Sequence, residues 1–104
     1  YDRWRHVLGD QFMKRLSGPK RGSWCKTTMC FPYTICGVEY DVGVFSSRGS
    51  YFRPGDTVVD YKYILRVERR DKLDGNWVFG LVKVREISQE ELRAMIVDKK
   101  LPAL

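Results

Sequence analysis

The stretch Tyr51-Phe52-Arg53-Pro54-Gly55-Asp56-Thr57-Val58 decides the fold, read with Tyr61-Lys62-Tyr63-Ile64-Leu65-Arg66-Val67 and Asn76-Trp77-Val78-Phe79-Gly80-Leu81-Val82-Lys83-Val84 downstream of it. Pro54 fixes φ at the second turn position, Gly55 accepts positive φ at the third, and Asp56 can bond the nearby backbone, so 53–56 is a turn that delivers the chain into a strand. Beyond it Tyr61, Tyr63, Leu65 and Val67 share one face, and Lys62, Ile64, Arg66 and Glu68 share the other, a period of two. Asp74-Gly75 marks a hairpin tip, and the flanking Asp71-Lys72-Leu73 predicts a loop longer than two residues. The return strand, Trp77 to Arg85, is apolar on both faces near its start, as expected of a central strand. Such a strand-turn-strand core predicts a small β-barrel, an architecture that binds more often than it catalyses.

Outward from this core, Met29–Cys36 and Val38–Phe45 are rich in β-branched and aromatic residues and are separated by Gly37, which fits two strands or one bent strand. Ser46-Ser47-Arg48-Gly49-Ser50 reads as a polar loop. At the N-terminal end Trp4, Val7, Leu8, Phe12 and Leu16 fall at helical spacing, with Asp2 as N-cap and Ser17-Gly18-Pro19 as a stop, so Asp2–Leu16 is expected to be an amphipathic helix. Residues 17–28 then form a basic, turn-rich loop. Ser88-Gln89-Glu90-Glu91 is a capping-box sequence that starts a short C-terminal helix, which Pro102 bars from extending and whose Leu92, Met95 and Ile96 stripe should dock on the barrel. The expected organisation is one mainly β domain over 1–104, cut from a longer protein: helix and basic loop over 1–28, barrel over 29–87, helix over 88–104.

At 104 residues the chain has room for one modest core. Its net charge is +6, with the basic excess at the two ends of the chain. An acidic partner such as a nucleic-acid backbone, a nucleosome surface or anionic lipid suits that balance. There is no secretory apolar run, no stretch of membrane-spanning length and no lipidation motif, so no membrane is expected. Cys25, Cys30 and Cys36 are odd in number and spaced by five and six residues. A zinc site built on them would need His6 to reach across from another element, and the paired short spacings of structural zinc sites are absent. Free, mostly buried thiols in a reducing compartment are the expectation, with no cofactor.

No nucleophile elbow, phosphate-binding glycine loop or paired metal ligands can be assembled from the sequence, and the single histidine, His6, stands beside Arg5 on the expected helix. The chain is therefore expected not to be an enzyme. Fourteen aromatic residues exceed the needs of one small core. Tyr40, Tyr61, Tyr63 and Trp77 are candidates for an aromatic cage that holds a quaternary ammonium by cation–π attraction, with Asp56 and Asp60 as a carboxylate rim, against the ordinary alternative of core and cross-strand packing. Trp24 among Lys20, Arg21 and Lys26, together with Lys14 and Arg15, is the candidate nucleic-acid contact. That tryptophan either stacks on a base or folds back as a lid over a core edge.

Val38-Glu39-Tyr40-Asp41-Val42-Gly43, Phe52-Arg53-Pro54-Gly55-Asp56-Thr57-Val58, Tyr63-Ile64-Leu65-Arg66-Val67-Glu68 and Gly75-Asn76-Trp77-Val78-Phe79-Gly80-Leu81-Val82-Lys83-Val84 together resemble bromo-adjacent homology (BAH) domains over residues 38–87. Tudor-like and other SH3-like barrels share the same hydrophobic skeleton. The resemblance implies a role in reading histone tails or nucleosomes. Together with the aromatic-cage candidates it gives the leading expectation: a nuclear, chromatin-associated monomeric module that recognises a histone tail, including a methyl-lysine mark, or nucleosomal DNA. The residues alone also support a nucleic-acid-binding barrel of viral or transposon origin, contacting DNA or RNA, or a non-catalytic scaffold domain of a larger enzyme.

Overall fold

The computed structural model describes residues 11–18, 21–22, 24–45, 52–60 and 63–103. It is mainly β: β1 (Gln11–Arg15), β2 (Trp24–Ile35), β3 (Val38–Phe45), β4 (Thr57–Asp60), β5 (Tyr63–Leu73) and β6 (Asn76–Glu86), followed by one helix, α1 (Gln89–Val97). The strands hydrogen-bond antiparallel in the order β1-β2-β3-β6-β5-β4, and the order returns on itself because β1 also pairs with β4, setting Met13 against Asp60 and Arg15 against Val58.

Gln11–Arg15 is a strand, which corrects the helix expected over Asp2–Leu16; the part before Gln11 lies outside the described residues. The spacing of Phe12 and Leu16 suits a helix, but Met13 and Arg15 are buried and Lys14 is half-exposed, a period of two. Pairing with β2 and β4 satisfies backbone groups on both edges of β1, whereas a helix of a few turns is marginal without a packed face. The basic loop is also shorter than expected. β2 begins at Trp24, so Trp24 and Lys26 are strand residues.

Both long hairpins close on two-residue turns. Cys36 and Gly37 have φ of 51° and 78°, and Asp74 and Gly75 have 51° and 81°. Two successive left-handed residues match the twist of the flanking strands, so β5 runs on through Asp71-Lys72-Leu73 to the tip and the longer loop expected there does not form. At 53–56 the turn forms as expected: the Asp56 amide donates to the Arg53 carbonyl at 3.0 Å, and the Asp56 carboxylate accepts from the Arg53 amide at 2.8 Å.

Three apolar clusters hold these strands. Met13, Cys25, Phe52, Val58, Leu65, Val67 and Phe79 form the central one, with Phe52 edge-on to Phe79 at 5.8 Å. Each such aliphatic or aromatic side chain adds about 1.5–3 kcal/mol relative to exposure. A second cluster, Leu16, Val59, Ile64 and Ile87, is covered by Leu92 and Met95 of α1. The capping box is complete, Ser88 Oγ accepting from the Glu91 amide at 3.1 Å and Glu91 Oε1 from the Ser88 amide at 3.0 Å. α1 ends at Val97, ahead of Pro102. The third cluster joins Ile35, Tyr40, Val42 and Val78. Here the Tyr40 ring lies flat on Gly80, where a Cβ would come within 2.8 Å of three ring carbons.

Candidate functional site

The register places one row of residues on the outer side of the sheet. Arg85 stands against Ile64, Ile64 against Val59, Val59 against Lys14, and Lys14 against Trp24. Directly opposed residues share a face, so these five form a continuous line across the strands. α1 covers the Ile64 and Val59 part of the line, and Arg85 clamps that helix with two hydrogen bonds to Glu91 at 2.9 Å. Past the helix the line continues to Lys14 and Trp24. Trp24 is 45% exposed, and Lys14 Nζ sits 4.7 Å from its ring centroid. Lys26, two residues along β2 on the same face, is exposed, as is Arg21 in the turn before the strand. This face offers a broad aromatic ring with cations beside it, a combination that can stack on a base while ammonium and guanidinium groups meet phosphates.

Arg15 does not belong to it. It points the other way from Lys14, is 2% exposed, and forms an ion pair with Asp56. That corrects its place among the candidate phosphate contacts: alternation along β1 turns it inward. Lys20 lies outside the described residues.

The six cage candidates are not gathered at one place. Tyr61 lies outside the described residues, and Tyr40 belongs to the third cluster, away from the central cluster that holds Tyr63 and supports Trp77. Tyr63 opens β5 opposite Glu86, whereas Trp77 pairs with Lys72 near the tip. The two rings are thus separated by most of a strand, roughly 30 Å at about 3.3 Å per residue if it were straight. Each ring already carries a cation of this chain: Arg69 at 5.9 Å from Tyr40, Lys83 at 4.9 Å from Tyr63, and Arg70 at 4.3 Å and Lys72 at 5.1 Å from Trp77. Asp56 is engaged by Arg15 and by its own turn, and Asp60 is fully buried.

Tyr40 instead belongs to a polar trio. Its hydroxyl donates to Glu68 Oε1 at 2.5 Å and accepts from Arg69 Nη1, while Arg69 Nη1 also donates to Glu68 Oε1 at 2.9 Å. Burial, and then the bond to Glu68, raises the Tyr40 phenol above its usual value. The bond from Tyr40, aided by the Arg69 charge, holds Glu68 below the usual carboxylate value.

Cys25 is buried in the central cluster and Cys36 is exposed in a hairpin turn; both are free thiols. Most of the length of the twelve-residue β2 separates them, so they cannot share an ion, which corrects the zinc alternative. His6 and the Cys30 side chain lie outside the description. Among the described residues no three metal-ligating side chains gather.

Two features escaped the linear reading. The Lys14–Trp24 pair depends on a register between strands ten residues apart, and the pairing of Arg70 and Lys72 with Trp77 depends on β5 reaching its tip without a long loop. Compared with protein-family models, with curated proteins and with solved structures, the chain matches none.

Proposed function

We propose that this chain is a non-catalytic nucleic-acid-binding module, built on an SH3-like or BAH-like barrel, that stacks an unpaired base against Trp24 and meets phosphates with Lys14, Lys26 and Arg21. The observation that carries the reading is the Lys14–Trp24 pair on the outer face, beside α1 and at the start of a strand whose next outward residue is Lys26. The net charge of +6 supports it through long-range attraction. The antiparallel order with its β1–β4 return supports a barrel of this kind. The BAH resemblance over 38–87 supports a nuclear, chromatin-associated setting for such a module.

The test is fluorescence anisotropy of a labelled single-stranded oligonucleotide titrated with protein over a range of salt. Trp24→Ala is expected to weaken binding by about 1–3 kcal/mol, the usual worth of a base–aromatic stack. Lys14→Ala with Lys26→Ala is expected to flatten the dependence of log K on log salt by about 0.7 per lost phosphate contact. Unchanged affinity in both variants would sink the reading. The histone-tail version draws on the same resemblance, and a methylated-peptide array checks it; against it stand the burial of Tyr40 and Tyr63 and the length of β5 between Tyr63 and Trp77. Absence of binding in both assays would favour a scaffold domain.

A further inference from the structure

The tip end of the β5–β6 hairpin carries a second cationic and aromatic grouping. Arg70 is opposed to Phe79 and Lys72 to Trp77, so all four share one side of the hairpin. Phe79 is fully buried in the central cluster, and Trp77 stacks beside it at 6.5 Å, at the edge of that cluster. Arg70 spans the edge: its guanidinium lies 4.3 Å from the Trp77 centroid, and its Nη1 donates to the Phe52 carbonyl at 3.0 Å. Lys72 approaches the same indole at 5.1 Å. Arg53, exposed in the turn that follows Phe52, stands close enough for its charge to act on Arg70.

Two positive groups are thus held against one indole, with the Arg53 charge felt by one of them. Among the described residues, Asp56 is an acid whose charge reaches Arg70, and it is already ion-paired to Arg15. Asp71 falls between Arg70 and Lys72 on β5, so alternation turns it to the opposite side, where it accepts from the Lys72 amide. Partial burial, and then the Arg53 charge, pull the Arg70 guanidinium below its usual value, as expected where like charges are crowded. An anion placed here would relieve that crowding, and the stack on Trp77 together with the bond to Phe52 holds Arg70 in place for it.

We propose that Arg70 and Lys72, held on Trp77, together with Arg53 beside Arg70, form a second phosphate-binding contact for the nucleic acid, distinct from the Lys14–Trp24 face. The indole here supports cations and is not itself a stacking surface for a base, since Phe79 and Arg70 already lie against it. This inference rests on the nucleic-acid reading above.

The experiment compares salt dependence of binding to a labelled single-stranded oligonucleotide for the wild type, for Arg53→Ala/Lys72→Ala, and for Lys99→Ala/Lys100→Ala. The last removes the same charge from exposed positions beyond α1. Arg53 and Lys72 are exposed, so the fold is expected to survive their loss, and an unchanged denaturation midpoint verifies this. The expected result is that Arg53→Ala/Lys72→Ala lowers the slope of log K against log salt by about 1.4, two contacts at about 0.7 each, while Lys99→Ala/Lys100→Ala leaves it nearly unchanged. Equal slopes in the wild type and Arg53→Ala/Lys72→Ala would overturn the second contact and leave the first standing. Equal losses in both double variants would overturn it too, by showing only the general field of the protein. A wild type that binds no oligonucleotide would overturn both readings together.

Discussion

Arg15 is one of nineteen lysines and arginines, yet its charge does not face solvent. It is 2% exposed beside Asp56, itself 13% exposed, so each charge has given up most of its water and depends on the other. Breaking such a pair from one side leaves a desolvated charge without compensation, whereas removing both partners together costs much less. Arg15→Ala is therefore expected to destabilise the fold by roughly 3–5 kcal/mol in chemical denaturation, with a smaller loss for the Arg15→Ala/Asp56→Ala double variant. A loss in Arg15→Ala below about 1 kcal/mol would contradict the buried pair. At this scale the sequence was legible where a residue acts on its own backbone. Pro54, Gly55 and Asp56 form their turn because their preferences are local. Arg15 was not legible, because only the pairing of β1 decides which way it points.

Among the elements, β5, β6 and α1 could be read in advance, because a long period of two, an Asp-Gly turn and a capping box each leave a local mark. β1 could not, since five residues carry too little periodicity to outweigh the helical spacing of their apolar neighbours. α1 has no fully buried residue, so its attachment leans on the Arg85–Glu91 bonds and its cap. The Arg85 bonds, and then the Ser88 amide, pull Glu91 from 4.5 to about 2. A carboxylate whose folded pKa is depressed adds stability that is present above its unfolded value and lost as pH falls through the folded one. The docking of α1 is accordingly expected to hold at neutral pH and to weaken as pH drops from about 4.5 towards 2. A carboxyl titration of Glu91 by NMR checks this, and Arg85→Gln should return its midpoint towards 4.5. A midpoint that Arg85→Gln leaves unmoved would refute the clamp.

For the whole molecule, stability is distributed unevenly. β5 and β6 pair from Tyr63–Glu86 to Leu73–Asn76 and enclose the central cluster, while α1 rests on the outside. In native-state hydrogen exchange the amides of Leu65, Val67, Phe79 and Leu81 are expected to be the slowest and those of α1 the first to open; a helix as protected as the hairpin would contradict this ordering. The outer row that includes Lys14 borders that helix, so whatever loosens α1 alters the neighbourhood of Lys14 before it reaches the core. The contact of Tyr40 with Gly80 carries a different kind of consequence. A missing side chain at one position makes room for the largest part of a residue forty positions earlier, and through that ring the β2–β3 hairpin reaches Glu68 and Arg69. A side chain at position 80 is therefore admissible only where the ring at 40 moves or is lost, so the hairpin and the strand it packs on are joined by an empty space that one residue leaves and the other fills.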